Sequence, residues 1–398
     1  MTYILTFVAT ATILADLLLI FNWKFGFQKF IRPTDLGLPK DVHPELQPIF
    51  KPVLADTPPV AILLAVRNEE DLLPHCLDSL LASDYPEDKF TVWIGNDDSE
   101  DRTLDIARDY AKKYKQVRVV DVRYRMADAR AKANVLAHLV RAVEAHKPTA
   151  TQLLVTDADM QVQPYWVRSM VQHGLATSGD KEVGVVTGIT LVDGSSPWGQ
   201  LQRIDWVFAL GMVKVASDWG MPIATMGNNQ LLSHNAYRKT GGYEALPFSI
   251  TEDFQMLQEI SKHGYAHRNI VASQVTAFTQ PMKSWGELLQ QRRRWMHGAI
   301  RLPWTIVSIL FLQALFYPIL MVLFFFAPMI ALGLWGLKII IQSFFISQVA
   351  QKIGLRKKQM RRLHRYLPLY DVYSAVLTIL TIAVYFLPIK TRWKGRAY

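Results

Sequence analysis

The stretch QLLVTDAD (152–159) decides the fold. Its apolar and β-branched first half reads as a buried strand, and Asp157 and Asp159 sit where that strand ends. Side chains at i and i+2 of an extended segment point the same way, so both carboxylates face one side. Paired oxygens of this kind suit Mg2+ or Mn2+, ions that bridge phosphates. Taken alone, two acids after a strand are also an ordinary turn.

Working outward, short apolar runs alternate with helical periods. PVAILLAV (59–66), FTVWI (90–94) and QVRVV (116–120) are predicted strands; helices are predicted over 101–114, 129–146 and 164–176. Asn68 is predicted to cap a helix that opens with Glu69, Glu70 and Asp71. This rhythm predicts an α/β domain over 59–285, with a mainly parallel sheet covered by helices on both faces. Ligands then bind beyond the carboxyl ends of the strands. No G-x-G-x-x-G follows a strand and no G-x-x-x-x-G-K-[ST] occurs. That argues against a Rossmann dehydrogenase and a P-loop NTPase.

Other polar clusters fall at similar places. The cluster from Asn96 to Thr103 follows the strand 90–94, and a carboxylate such as Asp97 can accept hydrogen bonds from a base or ribose there. Asn, Asp and Ser also favour plain turns. Thr251-Glu252-Asp253 opens a helix, either as a capping segment or as the source of a general base for a substrate hydroxyl. QRRRW (291–295) precedes an apolar region. Arginine pairs with phosphate and tryptophan offers a flat face to a sugar, yet both also anchor helices at a membrane interface. Lys132, in RAKANVLA (130–137), could neutralise a phosphate or simply solvate a helix, and the Gly227-Asn228-Asn229 turn is a lesser candidate.

The chain has 398 residues, half of them hydrophobic and 20% charged, which excludes disorder. Its single cysteine, Cys76, excludes a disulfide scaffold and fits a reducing compartment. A net charge of +10 suggests phosphate-bearing partners or an anionic membrane surface. Nucleic acid is not expected as a partner, because the densest basic run, QKIGLRKKQMRRLHR (351–365), lies between apolar segments.

Residues 1–24 are predicted as a membrane anchor, since the run 3–21 is broken only by Asp16 and a bilayer core needs about 20 helical residues. No small-residue cleavage site is evident in it. Lys24, Lys29 and Arg32 follow, which predicts that the chain beyond residue 24 lies in the cytosol. A proline-rich linker is expected over 25–58. Beyond the α/β domain, 286–302 reads as an interfacial helix and 303–350 as two spanning helices that turn at Gly333–Gly336. Residues 351–366 read as a basic cytosolic loop near anionic headgroups, 367–389 as a transmembrane or re-entrant segment, and 390–398 as a basic tail. Buried core helices are the alternative for the apolar runs.

The motifs occur in the order Asn-Glu after the first strand, Asp, Lys, D-x-D, Gly-Asn, T-E-D, Q-x-x-R-W and then membrane. This order resembles the membrane-bound family 2 glycosyltransferases, which include cellulose, hyaluronan and poly-N-acetylglucosamine synthases and ceramide glucosyltransferases. The resemblance covers roughly residues 59–300. It implies a GT-A (Rossmann-like) domain between N- and C-terminal transmembrane helices, integral to the cytoplasmic membrane and facing the cytosol. It implies inverting transfer of a sugar from a nucleotide-activated donor, usually a UDP-sugar, with a divalent metal. Residue by residue, it implies that Ala65, Asn68 and Glu69 border the nucleotide, that Asp97 contacts uridine and that Lys132 lies near the donor. Asp157 and Asp159 match the D-x-D, with Asp159 the metal ligand, and Asp253 matches the base. Gln291, Arg294 and Trp295 match the motif that flanks pyrophosphate and acceptor, and Glu252 is grouped with the acceptor.

Three positions depart from the family pattern. Asp98 stands where a glycine is usual, Arg67 where an aromatic is frequent, and Ala131 where a glycine commonly precedes the lysine. The expected acceptor is a cell-envelope polysaccharide, with a lipid hydroxyl as runner-up. A non-catalytic scaffold with a decayed transferase fold is a distant third, since every motif carboxylate is present. The reading requires the acids at 97, 157, 159 and 253 to share one pocket with Gln291–Trp295.

Overall fold

A computed structural model of the chain describes residues 1–25, 44–47, 54, 56–146, 149–388, 392–393 and 396–397. The linker expected over 25–58 lies largely outside the described residues, as do Lys29, Arg32 and most of the basic tail. The described residues form two compact units, one within 31–191 and 219–280, the other within 1–30, 192–218 and 281–398.

The first unit is built on a mixed sheet. Its strands lie side by side in the order Ala266–Asn269, Lys181–Thr187, Asn229–Ser233, Gln152–Asp157, Val60–Val66, Phe90–Asn96, Val117–Asp121. The last four are mutually parallel, while Asn229–Ser233 runs antiparallel to both neighbours. The interior strand Val60–Val66 is buried at every position except Ala65, as expected where helices cover both faces. Ile62, Leu64, Val92, Ile94 and Leu154 pack with Leu77 and Leu80 of the helix Leu73–Leu81 and with Trp166 and Met170 of the helix Trp166–Leu175. Each such side chain contributes about 1.5–3 kcal/mol on burial.

Parallel strands bring their carboxyl ends to one edge. There Ala65 is in register with Gly95 and with Asp157, and Asn96 with Val66 and Asp121. The antiparallel strand begins at the same edge, Asn229 opposite Thr156. The turn before Asn229 therefore reaches the place where the parallel strands end.

The second unit is helical. Thr2–Trp23, Trp304–Phe326, Pro328–Ile353 and Lys357–Phe386 are, among the described residues, four helices long and apolar enough to cross a membrane. Two expectations are corrected. The break between the middle pair falls at Ala327, not at Gly333–Gly336. Pro328 lacks an N–H and suits the first position of a helix, whereas the two glycines lie inside Pro328–Ile353 without ending it. The basic run is likewise no loop: Gly354, at φ +83°, ends one helix and Lys357 starts the next, so most of the charge lies on the first turns of Lys357–Phe386. That helix is continuous through the segment that could have been re-entrant.

Two buried polar clusters tie these helices together. Lys338 Nζ pairs with Asp16 Oδ2 at 3.2 Å and sits 4.8 Å over the Phe316 ring, and Gln313 donates to Asp16 Oδ1 at 3.2 Å. Asp371 accepts from Tyr317 Oη at 2.9 Å and from Trp335 Nε1 at 2.6 Å. A further helix, Pro197–Asp218, packs closely on Pro328–Ile353, since a Cβ on Gly211 would stand 2.7 Å from Val349.

Candidate active site

The site is assembled at the carboxyl edge of the sheet. Lys132 lies at the start of the helix Ala131–Ala145 and is 8% exposed. Its ammonium donates to Asp157 Oδ1 at 2.5 Å and to the carbonyl of Gly227 at 2.9 Å, and it lies 4.0 Å from Glu252 Oε1. Burial opposes the charge on Lys132, but Asp157 and Glu252 outweigh it and hold the ammonium above its ordinary value. The N–H of Gly227 donates to Asp253 Oδ2 at 2.7 Å. One residue of the Gly-Asn turn, Gly227, thus sits between the lysine and the proposed base, meeting each through a different peptide group. Thr156 Oγ1 donates to the next carbonyl, that of Asn228, at 2.9 Å and fixes the turn to the strand that carries Asp157.

Asp159 has a separate support. Its Oδ2 accepts from Thr279 Oγ1 at 2.7 Å. Cys76 lies beneath the pair, its thiol donating to the Asp157 carbonyl at 3.4 Å. Burial, then Asp159 and Asp157, push that thiol well above its ordinary value, which leaves it a structural group. Among the described residues no three or more His, Cys, Asp or Glu side chains converge on a metal position. The donor set therefore fits a divalent ion only where phosphate oxygens complete the coordination, a usual arrangement for Mg2+.

The residues expected to border the nucleotide form a laced pair of loops. Asn68 does not cap a helix: the helix starts at Leu73 with no side-chain cap. Asn68 takes φ +52°, donates its N–H to Ser99 Oγ at 3.2 Å and accepts the Glu100 N–H on Oδ1 at 2.9 Å. Asparagine is one of the few residues that enter this left-handed region readily. The Glu69 N–H donates to Thr103 Oγ1 at 2.7 Å. Arg67 donates to the Asp97 carbonyl at 2.8 Å and pairs with Glu100 at 3.4 Å. These bonds hold the loop after Val60–Val66 to the loop after Phe90–Asn96, with Ala65 and Asp97 half-buried at their start. Asp98 takes φ +56° and Ala131 φ +48°, the two positions where the sequence departs from an expected glycine.

Gln291, Arg294 and Trp295 belong to the other unit, on the helix Trp285–Ala299. At spacings of three and four they share one helix face, and all three are half-buried. Arg292, between them in sequence, pairs with Asp205 of the helix Pro197–Asp218 and lies 4.3 Å over the Trp295 ring. Trp295 also packs edge-on against Trp206, ring centroids 5.4 Å apart, and Tyr370 Oη donates to Asp205 at 3.2 Å.

Sequence reasoning missed Asp205 and Thr279, which orient Arg292 and Asp159. Nothing in a one-letter pattern marks a lone threonine or an acid within a mostly apolar helix. Of the two readings left open for Thr251-Glu252-Asp253, the capping one is met in position only: Thr251 precedes the helix, but its hydroxyl lies 3.3 Å from Ser249 Oγ and makes no cap bond.

The model of glycosyl transferase family 21 matches residues 42–398. The chain is 22% identical over 375 residues to a probable glycosyltransferase, YdaM, of Bacillus subtilis, covering 87% of this chain and 86% of that protein. It is 24% identical over 251 residues to a beta-monoglucosyldiacylglycerol synthase of Nostoc, covering 62% of this chain and 50% of that one. Among solved structures, a mannosyltransferase from Pyrobaculum calidifontis in complex with GDP-mannose and Mn2+ superposes with a TM-score of 0.54 at 17% identity, covering 95% of this chain and 97% of that one. That likeness concerns the fold.

Proposed function

The chain belongs to glycosyl transferase family 21, and we propose that it transfers a sugar from UDP to a lipid hydroxyl, inverting the anomeric centre. It is a glycosyltransferase that uses a nucleotide-activated sugar.

Asp253 is the general base in this reading. It takes the proton of the acceptor hydroxyl, which attacks the anomeric carbon from the face opposite UDP, so that one displacement inverts the centre. The hydrogen bond from Gly227 fixes the Asp253 carboxylate, and Lys132 neutralises Asp157 beside it. Ala65, Asn68, Glu69 and Asp97 border the nucleotide, Arg294 is assigned to the diphosphate, and Glu252, Gln291 and Trp295 to the acceptor. A Mg2+ or Mn2+ ion held by Asp159 would supply positive charge to the departing diphosphate.

The acceptor reading rests on one observation. Asp16 and Asp371, the acids that a polar path for a growing polymer would use, are buried and engaged by Lys338, Gln313, Tyr317 and Trp335. They cross-link helices and so favour a single sugar placed on a lipid over a sugar chain passed through the bundle. The Nostoc relative named above is described as a synthase of a glucosylated diacylglycerol. With the soluble unit in the cytosol, the second and third apolar helices return the basic start of Lys357–Phe386 to the same side, next to anionic headgroups. Membranes containing the protein, incubated with radiolabelled UDP-sugars and then extracted with organic solvent, test this. Label in the lipid extract supports it, and label confined to aqueous polymer contradicts it.

A further inference from the structure

The helix Trp285–Ala299 carries a second cationic side beside the Q-x-x-R-W motif. Arg293 is 7% exposed, and its Nη2 donates to the carbonyl of Leu387 at 3.1 Å. Its Nε and Nη1 are buried and meet no acceptor among the described residues. A buried donor left unmade costs about 1–3 kcal/mol, and more when it is charged. Fully buried arginines are almost always paired. His297 follows one turn later and Arg301 one turn beyond that, just past the helix end, so the three lie along one side.

Burial, together with the charges of Arg293 and Arg301, lowers the His297 imidazole below its ordinary value. Tyr385 of the helix Lys357–Phe386 packs against His297 with ring centroids 5.4 Å apart and forms a second wall. The second apolar helix, Trp304–Phe326, begins only a few residues after Arg301. None of these residues is Gln291, Arg294 or Trp295.

We propose that Arg293, His297 and Arg301 form a binding site for a phosphate group, with the unsatisfied N–H groups of Arg293 as its anchor. Phosphate oxygens supply the acceptors that Arg293 lacks, and a charged acceptor gives the stronger class of hydrogen bond. The phosphate comes either from an anionic lipid headgroup or from the free ion. The site stands independently of the acceptor reading, because its test counts bound lipid and not product.

The full-length protein, purified in detergent and exposed to phosphatidylglycerol, is examined by native mass spectrometry. One phosphatidylglycerol should stay bound to the wild type, and Arg293→Gln should retain about tenfold less, the loss expected for one charged hydrogen-bonding anchor. Added inorganic phosphate separates the sources: displacement of the lipid identifies the free ion as an equivalent occupant, and persistence identifies the headgroup. Either result keeps the phosphate site. Should Arg293→Gln fail to fold, the double variant His297→Gln, Arg301→Gln carries the same expectation. Lys358→Gln, on the exposed basic run, should retain lipid as the wild type does. Equal retention by wild type and Arg293→Gln, loss of lipid from Lys358→Gln to the same degree, or no retained lipid on the wild type would each overturn the proposal.

Discussion

The backbone N–H of Gly227 donates to the Asp253 carboxylate at 2.7 Å. The same glycine accepts from Lys132 through its carbonyl, so one residue, through its two flanking peptides, fixes the proposed base and the lysine that neutralises Asp157. A side chain at this position has no room. A Cβ on Gly227 would stand 2.9 Å from both the Cβ and Oδ2 of Asp253. Gly227→Ala should therefore displace the base, and a displacement near 1 Å costs about 10²-fold in turnover. Steady-state kinetics of sugar transfer, with a melting curve to confirm folding, check this. An alanine variant with wild-type turnover would contradict the placement of Asp253.

Lys132 carries a second prediction. Removing one member of a buried pair leaves the other uncompensated, so Lys132→Met should destabilise the protein by about 3–5 kcal/mol at neutral pH. The sign of the pH dependence follows from the raised folded value. Lys132 binds its proton more tightly folded than unfolded, so its contribution is complete below the ordinary lysine value of 10.5 and is lost as pH rises through the higher folded value. Denaturant melts across the alkaline range should show wild type losing stability more steeply there than the methionine variant. Parallel curves would show that the pair does not act this way.

Ala131 and Asp98 are held at φ +48° and +56°. A left-handed conformation costs an ordinary L-residue about 1–2 kcal/mol, and glycine returns about 0.5–1 kcal/mol of that in unfolded-chain entropy. Ala131→Gly should stabilise the protein by up to about 1 kcal/mol, and Asp98→Gly by less, since aspartate enters this region more easily. Thermal melts measure both. A destabilised Ala131→Gly would mean that the backbone strain is absent.

Asp16 and Lys338 join the first apolar helix to the third. Asp16→Asn strands the Lys338 charge and should lower stability by about 3–5 kcal/mol. Replacing both partners with apolar residues, Asp16→Leu with Lys338→Met, should restore much of the loss. Melting in detergent distinguishes these outcomes. A double variant no more stable than the single one would assign the pair a role beyond cross-linking.

Much of the catalytic unit was legible because parallel strands announce themselves. Buried on both faces, 60–66, 90–96 and 152–157 are mostly apolar runs that end on, or are followed at once by, polar residues. The strands 181–187 and 229–233 escaped, because Asn229–Ser233 carries polar residues inward: Asn229 and Gln230 are fully buried, and Asn229 bonds Ile189 and Val275 carbonyls. Motif order singled out Asp157, Asp159, Asp253 and Lys132 as candidates. The residue that joins two of them was not marked, since Gly227 lies 95 residues along the chain from Lys132. Asn68 misled for a physical reason, since a residue type that favours helix caps also tolerates the left-handed bend it adopts here. The helix break falls before Pro328 while Gly333 and Gly336 lie inside the next helix, yet Pro318 and Pro368 sit within apolar helices without ending them, so neither residue type alone marks the break.

The central claim is that Asp253 removes the acceptor proton and takes no necessary part in holding UDP. Asp253→Asn keeps the size of the side chain and an oxygen for the Gly227 N–H but cannot act as base. The direct measurement is UDP binding by calorimetry beside transfer of labelled sugar, on the same purified variant. UDP affinity should be unchanged, while transfer falls by about 10²–10⁴-fold or more, the range for a lost general base. A folded variant that no longer binds UDP, or one that still transfers sugar at the wild-type rate, would contradict the account.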